Sequence, residues 1–142
     1  MKYVLDTNVL VAAVRSPGGA SAEILRRVLM GQIGVLCSVP LFMEYEAVLL
    51  RPEHLAAAGA QAHQVLNLLD VLAGVVTRVE IQFLWRPQLR DPNDDLVLEL
   101  AVNGQGSGDA VAIITSNQKD FWPQASKFGV DVMTPRQFFQ GA

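Results

Sequence analysis

Residues 1–14 read MKYVLDTNVLVAAV, an apolar run interrupted by one carboxylate, Asp6, with Thr7 and Asn8 behind it. Tyr3, Val4 and Leu5 form the short continuous apolar stretch expected of a strand buried on both faces, and Asp6 marks its end. Val9 to Val14 then continues as a short helix. A strand that passes at once into a helix is half of a crossover unit.

The step recurs. Pro17, Gly18 and Gly19 break the chain, and a helix restarts at Ser21 and Glu23 and runs through about Met30. GVLCS, residues 34–38, reads as a second strand feeding a helix capped by Ser38, with Pro40 in its first turn, that runs through about Leu50. Glu53 to Ala73 reads as two helices broken near Gly59, Val75 to Ile81 as a β-branched strand, and a loop with Trp85 and Pro87 follows. Asp91 to about Val102 is a helix ended by NGQGSG; Ala110 to Ile114 is a strand; Asn117 to Asp120 starts a short helix. Val130 to Met133 is a last strand, and Thr134 with Pro135 opens a terminal helix.

Strands alternating with helices imply right-handed crossovers. The expected fold is a three-layer α/β/α sandwich around a mainly parallel sheet of about four or five strands, in one domain spanning 1–142.

With 142 residues, 51% of them hydrophobic, the chain can bury a sizeable core. Eleven Lys and Arg against 14 Asp and Glu give a net charge of -3, so whole-molecule charge offers no attraction to nucleic acid or anionic membrane. Acids gathered around a cation would count the same way. The single cysteine, Cys37, excludes an intrachain disulfide and a multi-thiolate zinc site and suits a reducing cytoplasm. The opening residues lack a secretory pattern, and no run of about 18 apolar residues predicts a membrane span.

The carboxylates carry the chemistry. In an open parallel sheet, functional groups gather beyond the carboxyl ends of the strands. Asp6 follows the first strand, where it serves either as a helix cap or as a ligand, with Thr7 and Asn8 as competing caps. Helical spacing puts Glu44 on an inward stripe with Leu41, Val48 and Met43, and turns Glu46 roughly 200° away. An inward carboxylate needs a partner: a cation, or Arg51 or Arg15.

In RDPNDDLVLELAV, Asp91 precedes Pro92 as an N-cap, whereas Asp94 shares a face with Val97, Leu98 and Ala101 and points toward the sheet. Asp95, about 100° further round, is either a rim ligand or a solvated acid, and the solvated reading is preferred. Asn117 either caps the next helix with Asp120 as its capping-box partner, or one of the two supplies an oxygen ligand. Asp6, Glu44, Asp94 and the Asn117/Asp120 pair thus belong to one edge of the sheet. Oxygen donors of this kind suit Mg²⁺ or Mn²⁺.

LDTNVLV, SVPLFMEYEAVLLRP, RDPNDDLVLELA and AIITSNQKDF, in that order, resemble the PIN-domain nucleases, and within them the bacterial toxins of toxin–antitoxin pairs similar to VapC. The closing FGVDVMTPRQFF resembles the same branch. The resemblance implies metal-binding acids at Asp6, Glu44 and Asp94, with Thr7 and Asn8 as polar support. It places Asn117, after the strand-ending Thr115, where many members carry aspartate, with Asp120 the nearest carboxylate to substitute. It also implies Mg²⁺- or Mn²⁺-dependent hydrolysis of RNA and a cognate antitoxin.

Arg15 and Lys119 are candidate phosphate contacts. Trp85 and Trp122 either stack bases or pack, packing being preferred, and His54 and His63 are read as surface or packing residues. The leucine-rich helices between Ala56 and Ala73 predict a homodimer. A haloacid-dehalogenase-type phosphatase is disfavoured because Asn8 stands where its second acid would be. A receiver domain lacks its paired acids, and GQGSG lacks the glycine spacing of a nucleotide loop. The alternative within the same fold is a catalytically weakened module that binds RNA or protein, motivated by Asn117.

Overall fold

The computed structural model describes residues 1–82, 89 and 91–140. The loop with Trp85 and Pro87 lies outside the described residues. In chain order the elements are β1 (Lys2–Leu5), α1 (Thr7–Arg15), α2 (Ala20–Leu29), β2 (Leu36–Cys37), α3 (Val39–Leu49), α4 (Pro52–Ala58) and α5 (Ala62–Val75). Then come β3 (Thr77–Arg78), α6 (Pro92–Gly104), β4 (Val111–Ile114), α7 (Trp122–Lys127), β5 (Asp131–Met133) and α8 (Pro135–Gln140).

All pairings are parallel. β4 lies between β1 and β5, with Leu5 opposite Ile114 and Ile114 opposite Met133. β2 pairs with β3, and a bridge between Tyr3 and Val35 joins this pair to β1, giving the order β3-β2-β1-β4-β5. The expected α/β sandwich is thus the observed one. Val4 and Leu5, with Val111 to Ile114, are buried, as strands covered by helices on both faces must be. α6 packs along β1, β2 and β4, and a Cβ placed on its Gly104 would lie 2.4 Å from Leu36 Cδ1.

Several boundaries depart from expectation. α1 begins at Thr7, two residues early, because Asp6 caps it through Oδ1, accepting from Thr7 N at 2.8 Å. The strand expected over Val75 to Ile81 shrinks to Thr77–Arg78: α5 retains Val75, and β2 offers only Leu36 and Cys37 as partners. The break near Gly59 is confirmed, that glycine closing α4 in the left-handed conformation at φ 64°. α6 runs to Gly104, two residues beyond Val102, and ends within NGQGSG as expected. Asn117 to Asp120 becomes a 3-10 turn over Gln118–Asp120, and a separate helix, α7, follows with Pro123 in its first turn.

Candidate active site

The parallel register sets the site. Leu5 and Ile114 stand side by side at the carboxyl ends of β1 and β4, and Asp6 N donates to Ile114 O at 3.0 Å. The next residues therefore emerge as neighbours. Thr115 Oγ1 donates to Asp6 Oδ2 at 2.7 Å, while Asn117 N donates to Thr115 Oγ1 at 3.0 Å. Asn8 links the same two strand ends, accepting from Ser116 N at 3.2 Å. Thr115 is fully buried, and Asp6 is only 7% exposed.

From the other side α3 brings Glu44, whose Oε2 accepts from Thr7 Oγ1 at 2.6 Å. Ser38 starts that helix by accepting from Leu41 N at 3.3 Å. Its buried line is Leu41, Tyr45 and Leu49, with Tyr45 donating its hydroxyl hydrogen to Leu5 O. Glu44 and Val48 flank that line, half-buried and facing the cleft, and Glu46 is exposed as expected. Met43 is not on the inward stripe: it is 66% exposed, one residue too far round from Leu41 and Tyr45. Glu44 has no ion pair with Arg51 or Arg15; its partner is the Thr7 hydroxyl.

A cleft of about 300 Å³ gathers these groups. Asp6, Glu44, Asp94, Asp91 and Asp120 supply its carboxylates, and Asn8, Asn93 and Asn117 its amides. Asp91 also caps α6 by accepting from Asn93 N at 2.9 Å, so its two readings hold together. Asp6 likewise is both cap and cleft residue.

Burial pushes the Asp6 carboxyl up from 3.8 to about 6, against the hydrogen bonds from Thr115 and Thr7 that favour its charged form, with Glu44 and Asp120 repelling it further. Asp94 rises to about 7, first through burial and then through repulsion by Asp6, Asp91, Asp120 and Glu44. Like charges held together at a desolvated strand end favour a cation or a proton among them. None of the described residues form a group of three or more His, Cys, Asp or Glu side chains already set to hold a metal ion. The all-oxygen donor set nonetheless fits Mg²⁺ or Mn²⁺, ions held by one or two carboxylates plus water and substrate phosphate rather than by a closed cage.

Several expectations are corrected or decided. Asp95 is neither rim ligand nor solvated: it is 3% exposed, and its Oδ1 accepts from Leu89 N at 3.1 Å. α6 is covered nearly all round, Glu99 included, so helical phase alone does not tell its solvent face. Of the two readings of Asn117, the side chain makes no cap and the residue lines the cleft. Lys119 and Trp122 line a separate concavity with Pro123 and Ser126; Trp122 is 61% exposed, so it is not packed in the core. Arg15, in the last turn of α1, is about 12 Å along the helix axis from Thr7 and does not line the cleft.

His54 was missed. It lines the cleft from the first turn of α4, and its Nδ1 is buried with no hydrogen-bond partner. The signal was present in RPEH: Pro52 turns the chain back straight after α3, and α4 packs against α1 and α3, the elements flanking Asp6 and Glu44.

No curated protein matches the sequence. Among solved structures the fold is similar to VapBC2 from Rickettsia felis bound to a DNA fragment from their promoter, with a TM-score of 0.60 at 15% identity, covering 94% of this chain and 98% of that one. The model of the PIN domain matches residues 2–119, which take in the strand end at Asp6, the helices bearing Glu44 and Asp94, and the turn at Asn117. This chain belongs to the PIN domain family.

Proposed function

We propose that the chain is a Mg²⁺- or Mn²⁺-dependent endoribonuclease and the toxin of a toxin–antitoxin pair. One observation carries the reading. Carboxylates from separate parts of the chain, Asp6, Glu44, Asp94 and Asp120, meet in one cleft at the carboxyl edge of a parallel sheet, and burial, with repulsion among them, raises the pKa of Asp6 and Asp94.

Asp6, Glu44 and Asp94 would hold the ion, with Asn117 or Asp120 completing its surroundings. The bound ion would supply an activated water and charge neutralisation at the scissile phosphate. The chain's own work is positional. Thr115 and the amide of Thr7 fix both oxygens of Asp6; the hydroxyl of Thr7 fixes Glu44; Asp91 caps the helix that presents Asp94. The negative cleft repels RNA phosphate until a cation occupies it, so metal and substrate bind together.

An antitoxin partner is supported by kinship with the VapBC2 fold, and a homodimer by Leu66, Val71 and Val75, exposed along α5. No helix of the described residues is long and apolar enough to cross a membrane, and the buried thiol of Cys37, pushed up to about 12 by burial, suits a reducing cytoplasm. Purified protein incubated with labelled single-stranded RNA should cleave it with Mn²⁺ or Mg²⁺ and not with chelator, and Asp6→Asn should abolish cleavage. RNA binding without cleavage under every metal condition would replace the enzyme with a binding module.

A further inference from the structure

His54 occupies the third position of α4, behind Arg51 as N-cap and Pro52 at the first helical position. It lines the same cleft as Glu44, Asp91 and Asp94. Nδ1 is sealed from solvent and has no hydrogen-bond partner. Nε2 has no protein partner either and is not sealed.

A neutral imidazole carries one N–H and one lone pair. A buried N–H without an acceptor is worse than a buried lone pair without a donor, because orphaned N–H groups forfeit a full hydrogen bond. The proton therefore belongs on Nε2, the open nitrogen. That leaves a neutral N–H donor in a cleft where no lysine or arginine is among the lining residues. Carboxylates stand near, yet none takes the hydrogen. The donor is held ready for an acceptor that arrives from outside.

We propose that His54 is a substrate-contacting residue whose Nε2–H donates a hydrogen bond to a phosphate oxygen of the RNA strand. The inference rests on the ribonuclease reading above. A phosphate oxygen is the strongest acceptor the substrate brings, and a neutral donor can grip it without competing for the carboxylates that would hold the cation. Burial of Nδ1 fixes the ring's proton and orientation in advance, so little is lost when the strand docks.

Two measurements on the full chain test this. Nitrogen-15 NMR of the imidazoles should show His54 as the Nε2–H tautomer, with a shift of Nε2 when a short cleavage-resistant single-stranded RNA is added in Mg²⁺ buffer. In kinetics, His54→Leu keeps the bulk but removes the donor and should raise KM by about tenfold or more at little-changed kcat. His54→Gln places an amide nitrogen near the position of Nε2 and should restore KM to within a few-fold. Mn²⁺ affinity without RNA should be the same in all three proteins.

An unchanged KM in His54→Leu, an Nδ1–H tautomer, or Mn²⁺ affinity falling in parallel with KM would overturn the assignment, the last by making His54 part of the framework of the metal site. If the wild type cleaves no RNA, the ribonuclease reading fails by itself. The role of His54 is then decided by the RNA-induced Nε2 shift and by whether His54→Leu weakens RNA binding, either result being negative counting against it.

Discussion

Thr115 Oγ1 donates to Asp6 Oδ2 at 2.7 Å across 109 residues of sequence, tying together the carboxyl ends of β1 and β4 behind the cleft residue Asp6. Thr115→Val keeps the shape and deletes the donor. The buried Asp6 oxygen then lacks a partner, a loss of about 1–3 kcal/mol. Urea unfolding should show that loss, and the acid limb of the cleavage profile should move to higher pH, because the lost hydrogen bond favours ionised Asp6.

Glu44 and Glu46 lie two residues apart on α3 but face the cleft and the solvent respectively. Glu44→Gln should lower cleavage by more than the roughly hundredfold that losing a supporting partner of a metal ligand costs. Glu46→Gln should leave cleavage within twofold of wild type, a roughly neutral change as for most surface substitutions. Equal losses in rate assays would contradict the division of the helix into two faces.

Stability should depend on pH in a direction opposite to that of a salt-bridged acid. Asp6 at about 6 and Asp94 at about 7 bind their protons more tightly in the folded chain than at the ordinary 3.8. Their contribution to stability is complete below that ordinary value and is lost as pH rises through about 6 to 7. In chelator, the melting temperature should therefore rise as pH is lowered from about 8 to about 5.5 as these two groups titrate. Added Mn²⁺ should raise it strongly at the higher pH and weakly at the lower, a linkage that calorimetry reads directly.

Gly104→Ala should destabilise the fold although alanine is the better helix former by about 1 kcal/mol. The new Cβ would stand 2.4 Å from Leu36 Cδ1, and Leu36, buried in β2, would have to shift within the core. Overpacking of this kind costs about 1–3 kcal/mol, so denaturant titration should show a net loss.

The backbone of the site was legible because its signals are local. A strand that ends on Asp6, a helix begun by Ser38 and another begun by Asp91 each announce themselves within a few residues, and parallel topology then sends their side chains to one edge. What escaped was set by distant neighbours. Asp95 is buried with its carboxylate accepting from Leu89 N, and no periodicity on α6 records that partner. Lys119 and Trp122 face away from the cleft because the 3-10 turn after Asn117 redirects the chain, and His54 faces into it because α4 doubles back. The strand at Val75 to Ile81 was overestimated for a similar reason: its length is fixed by the short partner it finds, not by its own β-branched residues.

Asp6 holds the first turn of α1 and, through its amide, the last rung of the sheet, whereas among the described residues the side chain of Asp94 makes no such bond. Selection for folding alone would therefore preserve Asp6 in a descendant that had abandoned nucleic acid altogether. Across kin of this chain, Asp94 is the better witness to chemistry, and Asp6 testifies first to architecture.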